Sequence, residues 1–301
     1  MKIKVGIVGY GNLGKAIEKK VNQSENFELV AIFSKRKLSN TIDYRDIEEY
    51  KNKIDILFLC GGSQNELEDQ GKKLIENFNI VDSYDNHTRL KRYIFDIDSL
   101  AKKNKKVALC SFGWDPGLFS MMRALFDSLG FAPYTFWGKG LSQGHTQAIK
   151  NIEGVIDAVQ FTLPNKQIEK RIKQGEDVKR DKSFHKRLCY VVARNKEQER
   201  IKKQIITMPD YFDGYETLVH FVSQEKLDTI KSFAHKGEVI TQNNTMSFSL
   251  NLLSNPEFTA TVATTFAGAI YQLSKEKKYG AYTILDLPIN RILKKDKFEY
   301  L

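Results

Sequence analysis

Between an apolar run, Ile3 to Val8, and an amphipathic stretch, Leu13 to Val21, lies Gly9-Tyr10-Gly11-Asn12-Leu13-Gly14, and this junction constrains the fold more than any other part of the chain. A strand that passes through three such glycines directly into a helix opens a βαβ unit. The first glycine makes the tight turn, the second lets the backbone approach a pyrophosphate, and the third lets helix and strand pack closely. The amides at the helix N-terminus then face the anion. A glycine-rich turn without a ligand is the alternative, and the strand before and helix after the motif argue against it. Gly9, Tyr10, Gly11, Asn12, Leu13 and Gly14 are therefore taken as cofactor-binding.

Up to about residue 115 the same alternation of short apolar runs and amphipathic stretches continues, the pattern of a parallel sheet covered by helices. Strands are predicted over Ile3 to Val8, Phe27 to Phe33, Ile54 to Cys60, Ile80 to Tyr84 and Val107 to Ser111, and helices over Leu13 to Val21, Glu66 to Asn77 and Leu90 to Asn104. After Asp115-Pro116 the rhythm changes. A helix over Leu118 to Leu129 is followed by strand-like segments, Val155 to Leu163, Leu188 to Ala193, Leu218 to Val222 and Glu238 to Ile240, with longer and more polar connections. Lys166 to Lys186 reads as a mobile loop or exposed helix. Thr259 to Ser274 reads as a long amphipathic helix, and Ala281 to Leu287 as a strand returning to the first domain. The fold class is α/β: a Rossmann doubly wound parallel sheet with a second, mixed α+β substrate-binding and dimerisation domain. The expected boundaries are 1–117 plus 259–301 for the dinucleotide-binding domain and 118–258 for the other, compatible with 301 residues at about 150 per domain.

The bulk properties exclude several classes. A composition that is 41% hydrophobic and 28% charged is that of an ordinary globular protein. The longest apolar stretch, near Ile54 to Cys60, is broken by Asp55, so no membrane span is expected. No secretory leader is read at the N-terminus, and a cytoplasmic location is expected. Cys60, Cys110 and Cys189 are odd in number and outside any CxxC spacing, which argues against both a disulfide framework and a zinc site. The net charge of +10 is scattered along the chain, with short clusters at helix ends, so a nucleic-acid partner is not expected.

The close of the second strand selects the dinucleotide. NAD sites usually place Asp or Glu there to bind the ribose 2′-hydroxyl. This chain has Ser34-Lys35-Arg36 instead. A hydroxyl and two cations suit a 2′-phosphate, Arg in forked geometry, so NADP is expected; an exposed basic turn is the alternative for Lys35-Arg36. Cys60-Gly61-Gly62-Ser63 closes the third strand and Tyr84-Asp85-Asn86-His87 the fourth, at the carboxyl ends that line the ligand crevice of such sheets. Cys60, Gly61, Gly62, Ser63 and Tyr84 are added to the cofactor-binding set.

These motifs belong to an ordered series that continues with Gly113-Trp114-Asp115-Pro116-Gly117, Phe136-Trp137-Gly138, Gly140-Leu141-Ser142-Gln143-Gly144-His145, His185-Lys186-Arg187, Met208-Pro209-Asp210-Tyr211-Phe212 and Asn255-Pro256-Glu257-Phe258-Thr259-Ala260. In this series the chain resembles the meso-diaminopimelate dehydrogenase family along essentially its whole length. The resemblance implies a homodimer and a reversible NADP-linked oxidative deamination of the D-centre of meso-2,6-diaminopimelate, within diaminopimelate and lysine biosynthesis. The products are L-2-amino-6-oxopimelate, which cyclises to tetrahydrodipicolinate, and ammonia. Asp85 and Asp115 match the family residues around the D-centre and are assigned to amine orientation and proton transfer, with Trp114 and Trp137 shaping and drying the pocket. Thr162, Arg187, His235 and Asn255, with the backbone around Gln143-Gly144, match the residues that recognise the L-centre. One position departs: Gln147 stands where family members often carry Asp near the distal amine, and a neutral amide offers an ammonium no Coulomb attraction.

Taken alone, several of these residues have plainer readings. Asp115-Pro116 also reads as a helix N-cap with Pro at N1, His235 as a loop histidine, and Arg187, beside Lys186, as surface charge. Two other functions fit the same architecture. One is a related NADP-dependent D-amino-acid dehydrogenase or reductase of other specificity, since fold alone does not choose chemistry. The other is a non-catalytic NADP-binding sensor.

Overall fold

A computed structural model describes residues 2–62, 66–86, 88–231 and 234–301 of the chain. They divide into two compact units, Met1–Met121 with Pro256–Leu301, and Met122–Asn255.

The first unit is built on seven strands: β1 (Ile3–Val8), β2 (Phe27–Ser34), β3 (Ile42–Asp43), β4 (Ile56–Leu59), β5 (Asn79–Asp82), β6 (Val107–Leu109) and, from the far end of the chain, β14 (Gly280–Tyr282). Every pairing is parallel, in the order β14-β6-β5-β4-β1-β2-β3. That is the doubly wound order with one strand added, and it reverses direction between β1 and β4, where such sheets form their ligand crevice. Helices α1 (Asn12–Asn22), α2 (Leu67–Leu74), α3 (Leu90–Asn104) and α9 (Asn255–Lys275) accompany the sheet, and α4 (Leu118–Ser128) runs through the boundary at Met121.

Both faces of this sheet are covered, which is why its strands are apolar without alternation. Val5, Ile7, Ile56, Phe58, Val81 and Leu109 join Ile17 and Val21 of α1 and Ala263, Ala267 and Ile270 of α9 in one core. Val8, Leu57, Leu59, Ile80 and Ala108 join Leu74 of α2 and Tyr93, Ile97 and Ala101 of α3 in the other. Each fully buried aliphatic side chain contributes about 1.5–3 kcal/mol of transfer free energy, so the scaffold of the crevice is held from both sides.

Four boundaries differ from expectation for local reasons. β5 and β6 end at Asp82 and Leu109, short of Tyr84 and Ser111, because the Asp82 carboxylate takes the Tyr84 and Ser111 amides at 3.0 and 3.2 Å in place of a ladder. α9 starts at Asn255 rather than Thr259; Pro256 is tolerated in a first turn, where its missing N–H has no helical acceptor. β14 is three residues, and the chain then turns, with Asp286 accepting from the Thr283 amide and hydroxyl, each at 2.7 Å.

The second unit holds two sheets. β7 (Tyr134–Trp137), β12 (His235–Ile240) and β13 (Ser247–Leu252) form an antiparallel sheet in the order β13-β12-β7, and β8 (Gly140–Leu141), β9 (Val155–Pro164), β10 (His185–Ala193) and β11 (Glu216–Phe221) form a mixed one in the order β11-β10-β9-β8. Around them stand α5 (Gln143–Lys150), α6 (Lys166–Lys173), α7 (Gln198–Ile206) and α8 (Gln224–Ile230). The charged stretch from Lys166 is not a mobile loop at its start. Asn165 caps α6 by accepting from the Gln167 and Ile168 amides, and Ile168 and Ile172, one turn apart, pack on Tyr134, Phe136 and Phe184.

Candidate active site

In the first unit a groove opens where the sheet order reverses, lined by Gly9, Tyr10 and Gly11 after β1, Ser34, Lys35 and Arg36 after β2, Cys60, Gly61 and Gly62 after β4, and Tyr44, Glu66 and Gln70. The glycines have separate physical reasons. Gly14 must lack a Cβ, since one would lie 2.1 Å from the Gly9 carbonyl oxygen where α1 crosses β1. Gly11 is different, because a Cβ there would meet no protein atom within 4 Å. What a side chain at residue 11 would fill is the groove itself. α1 carries no acid in its first turn and no side-chain cap, so its N-terminal amides are left for an anion.

Ser34 is buried, and its hydroxyl accepts from the Arg36 amide at 3.0 Å, which turns the basic pair at the end of β2. Arg36 Nη2 donates to the Tyr10 carbonyl at 3.2 Å, which lays the exposed guanidinium across the glycine turn. Lys35 pairs with Glu66 at 3.0 Å and holds that carboxyl below its ordinary value. Sequence reasoning missed Glu66, whose place in the groove depends on the approach of α2. This basic, glycine-floored groove fits a dinucleotide with a 2′-phosphate. Ser63 lies outside the described residues. Tyr84 enters the core instead of the groove: its ring lies 4.2 Å from that of Tyr93, and its hydroxyl, pushed up to about 12 by burial and Glu68, donates to Glu68 at 3.3 Å.

Asp85 and Asp115 follow neighbouring strands, β5 and β6, and so leave the same edge of the sheet. Asp85 is exposed and Asp115 half-buried. The N-cap reading of Asp115-Pro116 fails, because α4 begins only at Leu118 and a bridge joins Trp114 to Gly117 before it. Trp114 sets its ring edge-on to Phe119 at 5.2 Å.

In the second unit the antiparallel register of β9 and β10 puts Thr162 opposite Arg187. Arg187 Nη1 donates to Thr162 Oγ1 at 2.7 Å, and the guanidinium lies 4.1 Å over the Tyr215 ring. At 8% exposure Arg187 is no surface charge. Burial pushes its pKa down and Tyr215 opposes this, yet a guanidinium stays protonated. His235 is likewise not a loop residue: it opens β12, is buried, and shares a 2.7 Å hydrogen bond between Nε2 and the Leu141 carbonyl.

His185 and Tyr215 were not singled out from sequence. The Trp137 amide donates to His185 Nε2 at 2.9 Å while the two rings stack 4.7 Å apart, which orients the Trp137 indole. Burial, with Arg187 adding to it, holds His185 down to about 4 and so neutral. Gln143 and Gly144 form the first turn of α5 behind the Ser142 cap. Gln147 is exposed and donates to Asn151 at 3.0 Å along the same helix, and Asn255 is the first residue of α9. No group of three or more His, Cys, Asp or Glu side chains placed to hold a metal is found among the described residues, nor any helix long and apolar enough to cross a membrane.

The family described as "Diaminopimelic acid dehydrogenase C-terminal domain" matches residues 113–256. The meso-diaminopimelate D-dehydrogenase of Ureibacillus thermosphaericus is 41% identical over 308 residues, covering 95% of this chain and 94% of that one. Among solved structures, the C. glutamicum DAP dehydrogenase in complex with DAP superposes with a TM-score of 0.93 at 37% identity, covering 99% of this chain and 98% of that one. An engineered D-amino acid dehydrogenase bound to NADP+ gives 0.90 at 35% identity, with the same two coverages of 99% and 98%.

Proposed function

The chain belongs to the meso-diaminopimelate D-dehydrogenase family, and from that premise we propose that it catalyses the reversible, NADP-linked oxidative deamination of the D-centre of meso-2,6-diaminopimelate to L-2-amino-6-oxopimelate and ammonia, a reaction of diaminopimelate and lysine biosynthesis. The observation that carries this reading is the full-length similarity, 41% identity over 95% of the chain. NADP is the cofactor, and when bound it supplies the hydride acceptor. The glycine turn and the open end of α1 would hold its pyrophosphate, with Ser34, Lys35 and Arg36 at the 2′-phosphate.

The remaining chemistry falls to side chains. Hydride leaves an amino-bearing carbon only when nitrogen can donate its lone pair, so the substrate ammonium must first lose a proton. Asp85 and Asp115 are assigned to orient that amine and take the proton. Water then adds to the iminium carbon and ammonia departs. Trp114 and Trp137 shape the pocket and keep bulk water from the hydride transfer that precedes this hydrolysis. Recognition of the L-centre is assigned to Arg187, a fork matched to a carboxylate, with Thr162, His235, Asn255 and the backbone at Gln143 and Gly144. A homodimer, as the family resemblance implies, completes the proposal, with the cytoplasm as its expected location.

The test is a substrate panel: meso-, LL- and DD-diaminopimelate and monocarboxylic D-amino acids, each with NADP and with NAD, followed by reduced-cofactor absorbance. Turnover is expected for the meso isomer with NADP, and none for the LL isomer, which has no D-centre. Equal or better turnover of monocarboxylic D-amino acids would reassign the substrate.

A further inference from the structure

The two loops assigned to the reacting amine are tied to one buried carboxylate that no sequence motif marked. Asp82 ends β5 and is fully buried. Its Oδ1 accepts from the Tyr84 amide at 3.0 Å and from the Ser111 amide at 3.2 Å, and its Oδ2 accepts from the Tyr93 hydroxyl at 2.8 Å. The Asp82 carbonyl accepts in addition from the Phe112 amide at 3.2 Å. Tyr84 immediately precedes Asp85. Ser111, held in the left-handed region at φ 60°, opens the turn that leads through Trp114 to Asp115.

We infer that Asp82 is a positioning residue for the deamination, a carboxylate that fixes the loops of Asp85 and Asp115 relative to one another without touching substrate. The inference rests on the assignment of those two residues to the reacting amine. Burying a carboxylate is costly unless donors meet its lone pairs. What an apolar side chain cannot do is accept from two loops and a helix at once. Because it accepts from different segments at once, Asp82 fixes the separation of the loops that follow β5 and β6, and small errors in such separations are what catalysis feels.

The test uses the whole enzyme with meso-diaminopimelate, unlabelled or deuterated at the D-centre. Asp82→Asn keeps the shape but loses the charge and one acceptor. It is expected to lower kcat about tenfold or more while NADP affinity stays within about twofold. The deuterium isotope effect on kcat should rise, because a misplaced amine makes hydride transfer the slow step. A merely structural role predicts a lower Tm and less active protein, with the isotope effect and kcat per folded site unchanged, and that result overturns the inference. Should Asp82→Asn not fold, Tyr93→Phe decides: it removes only the hydroxyl bond and is expected to act in the same direction, and an unchanged kcat and isotope effect there overturn the inference. Failure of the proposed function reads out separately, as a wild-type enzyme silent on meso-diaminopimelate.

Discussion

Arg187 donates to Thr162 across the β9 and β10 ladder at 2.7 Å, and both side chains are more than nine-tenths buried. A guanidinium held this way, backed by the Tyr215 ring and short of solvent, is ready to take an anion. Replacing Arg187 with Met keeps the stem and leaves a bound carboxylate unpaired, a loss of roughly 3–5 kcal/mol when the charge is buried, and less where water enters. The expected outcome is a large fall in kcat/KM for meso-diaminopimelate and a rise in relative activity on D-amino acids with apolar side chains. The ratio of the two specificity constants, in wild type and R187M, is the measurement; an unchanged ratio removes Arg187 from substrate recognition.

Cofactor choice should reside in Arg36. Its guanidinium lies across the glycine turn at the Tyr10 carbonyl, and no acid closes β2. Arg36→Ala is expected to weaken NADP selectively, by about tenfold or more if a charge-assisted bond of about 1.5–3 kcal/mol is lost, while NAD changes little. Titration of each variant with both dinucleotides checks this, and equal weakening would place the 2′-phosphate elsewhere.

Asp85→Asn and Asp115→Asn keep shape and remove charge at the reacting amine. Each is expected to reduce turnover by at least about 100-fold, the lower range for loss of a positioned proton acceptor, with NADP affinity retained. Near-wild-type turnover in both folded variants would take these residues out of the mechanism.

The order of motifs and the local signals were readable from sequence because they are local. A glycine turn between strand and helix, or a hydroxyl and two cations closing a strand, needs only adjacent residues to be recognised. Burial of charge is not local. Arg187 reads as surface charge beside Lys186 until β10 pairs with β9, which brings Thr162 opposite it. Asp82 lies unmarked inside the predicted strand Ile80 to Tyr84, and its role is visible only where the Ser111 amide and the Tyr93 hydroxyl, from later segments, converge on it. The short strand β7 and the buried face of α6, a helix the sequence left open against a loop, were hidden for a related reason, since Tyr134, Phe136, Ile168 and Ile172 make sense as apolar positions only against each other.

The buried histidines predict an acid-sensitive second unit. His185 is held down to about 4 and His145 to about 3, each chiefly by burial with Arg187 adding to it. Both folded values lie below the unfolded value of about 6.5, so the unfolded chain binds more protons in between, and stability falls as pH drops from about 6.5 toward 4. For His185 the loss is of order 3 kcal/mol, because protonation puts a charge on a desolvated ring beside Arg187. Thermal unfolding across this pH range should show Tm falling, with a shallower fall in His185→Gln; an equally steep fall in that variant would assign the acid sensitivity to other groups.

Hydride is expected to leave the D-centre and not the L-centre of one nearly symmetric molecule. Two samples of meso-diaminopimelate, one deuterated at the D-carbon and one at the L-carbon, are each oxidised with NADP, and the reduced cofactor is examined by mass spectrometry. Deuterium is expected in the reduced cofactor from the D-labelled sample only. Deuterium arriving from the L-labelled sample, or from both alike, would contradict the account.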